Sequence, residues 1–203
     1  MPWLRRLLPY FAVGLGFLGF QSAWLSLVGY HLGILTMFWL ENGWEHFRAL
    51  RPVFRPGWAA LAWISACLAG LLLYSGWNGL PLPENVPAML RQLGLTQTNW
   101  PWFIAYFSLV NPWLEETYWR SRPIALAKLP IADDFWFAGY HLLILVRFVP
   151  GGWLLLGVMI LAGAAWFWRQ VFRQTGSTFI PAVAHLLADF SILTAIYFRM
   201  VPA

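Results

Sequence analysis

WAALAWISACLAGLLLYSGW, residues 58–77, contains no charged side chain. A helix of that length rises about 30 Å, the thickness of a bilayer's hydrocarbon core. An apolar run this long reads as a membrane span rather than as a buried helix of a soluble core. The stretch sets the fold class: all-α, a bundle of helices that crosses a membrane.

The surrounding composition agrees. Of 203 residues, 60% are apolar and 10% charged, whereas a soluble domain is about half apolar and a quarter charged. Fifteen Trp and sixteen Phe and a mean hydropathy of +0.61 point the same way. A disordered chain and a water-soluble enzyme are excluded, and the single cysteine, Cys67, excludes a disulfide scaffold. The net charge of +5 forms no basic patch, because the Lys and Arg residues sit singly or in pairs between apolar blocks. No nucleic-acid partner is expected. Met1 to Arg6 has the positive start of a signal peptide, but no small-residue cleavage site follows. It therefore reads as a first anchor.

Outward from residues 58–77, other spans can be placed. Pro9 to Leu40 is one apolar block, either a single tilted helix or two short helices breaking around Gly29 to Gly33. The Gly29 and Gly33 spacing suits helix packing. Glu41 to Gly57 is a polar connection carrying Arg48, Arg51 and Arg55. Asn78 to Trp100 is rich in Pro and Gly, and within it Val86, Met89, Leu90 and Leu93 repeat at helical spacing. That predicts a short helix lying in the interface. Pro101 to Ser121, Phe135 to Val149, Trp153 to Trp168 and Thr178 to Phe198 complete the set. The expectation is one integral membrane domain over residues 1–203, a polytopic bundle of about six to eight helices. If spans alternate, Arg48, Arg51, Arg55, Arg122, Lys128, Arg169 and Arg173 share one side, which the positive-inside rule predicts to be cytoplasmic. Trp and Tyr near span ends read as interfacial anchors, and His31 and His46 as packed histidines.

Charged side chains inside spans cost about 2.5–3.5 kcal/mol each on insertion scales, so they mark function more often than accident. Three groups stand out: Glu115, Glu116 and Arg120; Phe137 and His141; His185 and Asp189. Each contains a pair four residues apart, which a helix sets on one face. Measured by helical rise from Arg122, Asp134 and Ser177, the three groups lie about 9–12 Å deep, from the same face if spans alternate. Glu116 and Arg120 stand in the favourable order for an ion pair. Glu115 projects about 100° around the helix from Glu116, which leaves it available as a general base. Pro112 frees the carbonyl of Ser108, so a kink or a wet spot is expected beside Asn111.

The pattern E-E-x-x-x-R, then F-x-x-x-H, then H-x-x-x-N/D resembles the CAAX protease and bacteriocin-processing family (CPBP or ABI) of intramembrane glutamic endopeptidases. The type II CAAX prenyl endopeptidases belong to that family. The match covers Pro101 to Arg199, the motif-bearing half of the chain, with three motifs in order on separate predicted spans. The resemblance implies an endopeptidase in which Glu115 and His141 activate a water, while Glu116, Arg120 and Phe137 support the site. His185 and the residue at 189 would stabilise the oxyanion. It implies a membrane-anchored protein or peptide as substrate: a prenylated C-terminus, a leader peptide or a C-terminal sorting tag. It also implies a multi-pass location in a prokaryotic inner (cytoplasmic) membrane, and no cofactor.

Asp189 departs from the asparagine that could donate an N–H. Either it is itself protonated, or it orients His185 and leaves oxyanion binding to that imidazole. We take the second, since a carboxylate partner polarises the ring and strengthens its donation. Two rival readings stand beside the protease: a zinc enzyme built on one Glu and two His, although the chain lacks H-E-x-x-H, and a non-enzymatic scaffold or ion path lined by the same charges.

Overall fold

The computed structural model describes residues 2–41, 43–121 and 126–200. Its described residues are predominantly helical, with no strand among them. They fall into two compact units. One comprises Met1–Glu45, Pro81–Leu95 and Lys128–Phe167; the other comprises His46–Leu80, Thr96–Ala127 and Trp168–Ala203.

In the first unit, α1 (Pro2–Gly14) passes into one π-helical turn at Leu15–Gly19, and α2 spans Ala23–Leu40. Of the two readings left open, the block is two helices, and the break falls at residues 20–22 rather than around Gly29 to Gly33. Gln21 sits there at φ +49°, and the Ser22 hydroxyl accepts from the Leu25 N–H to cap α2. α2 runs unbroken through both glycines because α1 packs on it. A Cβ on Gly33 would come within 2.6 Å of Leu8, whereas one on Gly29 would meet nothing within 4 Å. Only Gly33 therefore fulfils the packing role. Arg5, buried, pairs with Glu41 at 2.6 Å, and Arg6 with Asp133 at 2.7 Å, so ion pairs tie α1 to the end of α2 and to α6 (Ala132–Tyr140).

The helix expected in the loop is α4 (Val86–Gln92), with Val86, Leu90 and Leu93 buried. Phe135 to Val149 is not one helix. α6 stops at Tyr140 and α7 (Leu142–Leu145) restarts after His141. At His141 the ring Nδ1 lies 3.0 Å from the Phe137 carbonyl, and the backbone N–H turns to the Ala138 carbonyl instead. The side chain has displaced the helical bond.

α8 (Gly151–Thr175) extends beyond the expected end at Trp168. Arg169 is buried, and its guanidinium donates to the Ala127 carbonyl. That contact lets a charge continue the helix without facing lipid.

The second unit is built on α3 (Pro56–Gly76), α5 (Trp100–Arg120) and α9 (Phe179–Met200). Ala59, Ala62, Ala66 and Gly70 form the buried face of α3, a small-residue stripe that lets backbones approach. A Cβ on Gly70 would lie 2.3 Å from the Ser191 backbone. The Ser191 hydroxyl bonds to the Ala66 carbonyl, and Trp63 Nε1 donates to the Ile180 carbonyl. The connection before α3 is fastened to the start of α9: Thr178 N–H donates to the Ala49 carbonyl and the Ser177 hydroxyl to that of Arg51.

Among the described residues, four helices are long and apolar enough to cross a membrane: Ala23–Leu40, Pro56–Gly79, Gly151–Thr175 and Phe179–Met200. They mark a membrane protein. α5 has the length, 21 residues, but its Glu115, Glu116 and Arg120 lower its apolarity. Arg122, from which the depth of those glutamates was measured, lies outside the described residues.

Candidate active site

α5 and α9 of the second unit bring five of the seven expected residues together. Glu115 and Glu116 are adjacent, so their carboxylates leave α5 in directions about 100° apart. They reach the imidazole of His185 from two sides. His185 Nδ1 is 3.0 Å from Glu116 Oε1, and Nε2 is 3.4 Å from Glu115 Oε2. Both glutamates are 0% exposed and His185 5%. Burying such groups costs several kcal/mol per ion, about as much as their mutual attraction returns, so each must find good partners.

Those partners are present. Arg120 Nη1 lies 2.7 Å from Glu116 Oε1, one helical turn along α5, as the spacing predicted. One carboxylate oxygen thus receives both Arg120 and His185, while Glu116 Oε2 is buried without a hydrogen bond. Asp189 lies one turn from His185 on α9, its Oδ1 3.5 Å from Nε2. It is the most exposed member of the cluster, with 15% of its side chain accessible, so the cluster is most open on that side.

Two residues were not anticipated. Asn111 Nδ2 is 3.2 Å from Glu115 Oε2 and 3.3 Å from Asp189 Oδ2. It supplies an amide donor beside Asp189, the chemistry that an asparagine at 189 would have offered. The spacing carries the signal, since Asn111 stands four residues before Glu115 and so shares its face of α5. α5 continues through Pro112, with the Ser108 hydroxyl buried and lacking a partner. Trp168 is the second. Its ring stacks on His185 at 4.7 Å and takes the Arg120 guanidinium at 5.4 Å. It is 7% exposed, a wall of the site rather than an interfacial anchor. A sequence gives no sign of such a stack, which depends on how α8, α5 and α9 meet.

Phe137 and His141 belong to the first unit. Phe137 is buried, its ring edge-on to His141 at 5.3 Å, and the His141 ring lies parallel to that of Tyr140 at 4.1 Å. Among the described residues, no three His, Cys, Asp or Glu side chains are arranged to hold a metal ion.

Chemically, the cluster in the second unit offers a carboxylate (Glu115) with two N–H groups beside it (Asn111, His185), and an imidazole clamped by a second carboxylate that a guanidinium neutralises. That is a set of parts for moving a proton and for holding an oxyanion. Comparison with family models, with curated proteins and with solved structures gives no match to this chain.

Proposed function

We propose that the chain is an intramembrane endopeptidase that uses Glu115 to activate water against a peptide bond of a membrane-anchored protein or peptide. The reading rests on one observation above others: the imidazole of His185 held between two adjacent, fully buried glutamates inside a unit whose α3 and α9 are apolar enough to span a bilayer.

The chemistry runs as follows. Glu115 takes a proton from water as the water oxygen bonds to the substrate carbonyl carbon. The carbonyl electron pair moves onto its oxygen, which receives hydrogen bonds from His185 Nε2 and Asn111 Nδ2. Collapse of the tetrahedral intermediate breaks the C–N bond, and the proton held by Glu115 passes to the leaving amine. Glu116 and Arg120 fix the His185 ring through Nδ1, and Asp189, close to Nε2 in the resting site, yields that N–H to the oxyanion. In this proposal the chain is multi-pass in a prokaryotic inner membrane and works without a metal.

The test is a comparison of membrane proteomes from cells carrying the parent chain or Glu115→Gln, which keeps size and hydrogen bonding but removes the base. Accumulation of an uncleaved membrane-anchored precursor is the expected result. With a Glu115→Gln protein that folds as the parent does, an unchanged proteome overturns it. Cleavage that stops on chelation and returns with zinc would reassign the chemistry to a metal.

The contacts also run without a break from Arg120 through Glu116, His185 and Glu115 to Asn111 and Asp189. Such a chain suits a proton path. Proton uptake by liposomes containing the purified chain, lost with Glu115→Gln in the absence of any peptide substrate, would support that second reading.

A further inference from the structure

We propose that the groove at the start of α3 binds an anionic phospholipid, with the headgroup phosphate on Arg55 and an acyl chain laid along α3. The groove, about 450 Å³, is lined by Arg55, Pro56, Gly57, Trp58 and Leu61. Its surface is almost wholly apolar, and Arg55 borders it at the N-terminal end of α3. Arg55 is exposed at the mouth, and beside it Gly57 has nothing within 4 Å of where a Cβ would stand, so a headgroup can come close.

Charge selects the headgroup. Between His46 and Pro83 there is no acidic residue, while Arg48, Arg51 and Arg55 all fall there and all are exposed. Glu45, exposed three residues before Arg48 in the same 3-10 helix, offsets part of that charge, and Arg51 and Arg55 leave a net positive field that favours a net negative headgroup over a zwitterionic one. The connection bearing them is held to the start of α9 by the Ser177 and Thr178 bonds already described. The arginines are therefore presented on a fixed backbone, which lowers the ordering cost of binding.

The apolar surface selects a lipid over a soluble phosphate. Beyond Leu61, 55% exposed, the same face of α3 continues through Ile64, Leu68 and Leu72, each exposed. That stripe runs about 16 Å along the helix axis, long enough to lie against most of an acyl chain. The site is separate from the Glu115 cluster and holds whether or not the chain is a protease.

The experiment is native mass spectrometry of the full chain released from micelles containing equimolar dioleoyl phosphatidylglycerol and dioleoyl phosphatidylcholine. We expect the first lipid adduct to favour phosphatidylglycerol by roughly fivefold or more, the effect of about one arginine at a membrane surface. Arg55→Ala should lower the ratio several-fold, leaving only the weaker field of Arg48 and Arg51, and Arg55→Lys should keep most of it. Leu61→Trp, which fills the groove and leaves every arginine in place, should lower adduct formation by both lipids. Equal retention of the two lipids by the parent overturns the proposal, as does a folded Arg55→Ala that keeps the parent's preference. If Arg55→Ala fails to fold, Leu61→Trp decides, and undiminished adducts there count against the site. The parent alone provides a further check. Its preference should fade in about 1 M salt, where charges are screened within about 3 Å; a preference that persists, or complete displacement by equimolar glycerol phosphate, overturns the lipid assignment.

Discussion

Arg120 and His185 meet on the same oxygen of Glu116, and a buried charge that loses its partner is costly. Arg120→Met should destabilise the protein by about 3–5 kcal/mol, because it strands a carboxylate where water cannot reach it. Adding Glu116→Gln should recover most of that loss, as a neutral pair needs no counter-charge. Unfolding curves of the two variants in detergent check this, and a double variant no more stable than the single one would refute it. Asp189 allows a finer test within the proposed protease. Asn at 189 keeps one acceptor oxygen for His185 Nε2 and turns an NH2 toward Asn111 Nδ2, so it retains the contact to the imidazole and loses the one to Asn111. Asp189→Asn should therefore keep about a tenth of the activity or more, while losses at orienting residues commonly reach 10–100-fold. A dead Asp189→Asn beside an active Asp189→Glu would give the aspartate a different task. At this scale the sequence announces local pairs and is silent on distant ones. The spacing of Glu116 and Arg120 was enough to place their ion pair, whereas the stacking of Trp168 on His185 needs the three-dimensional path of α8.

Helices show the same division. The limits of α3 and α9 follow from apolar length and hydrophobic run, and the short α4 from the spacing of Val86, Leu90 and Leu93. The breaks do not. Gln21 adopts a left-handed conformation that glycine takes far more readily, so no residue preference pointed there. The interruption at His141 comes from a side chain competing for its own helix's carbonyl. The contact between α3 and α9 can be tested directly at Gly70, whose missing Cβ leaves room for the Ser191 backbone. Gly70→Ala should cost about 1–3 kcal/mol through overpacking. Gly163→Ala, in the exposed middle of α8 with nothing within 4 Å, should instead stabilise by about 0.5–1 kcal/mol. Paired melting measurements that give both substitutions the same sign would refute this account of the packing.

For the molecule as a whole, the distribution of arginine predicts sidedness. Residues 48–55 precede α3 and Asn78 follows it, so the two points lie a bilayer's thickness apart, about 30 Å. With Cys67→Ser as background, Val53→Cys should react with an impermeant maleimide only from the cytoplasmic side and Asn78→Cys only from the opposite side. Labelling of both from one side would refute the assignment of α3 as a crossing. A further consequence follows from the seat of Gly70 against Ser191. The ribosome makes α3 about 120 residues before its partner, and at 5–20 residues per second that is an interval of about 6–24 s. Throughout it α3 lacks the helix against which its Ala and Gly face packs. Its freedom from charge is therefore a requirement of biogenesis as well as of the finished structure, and a lysine on its buried face would first be felt at insertion, before any packing could fail.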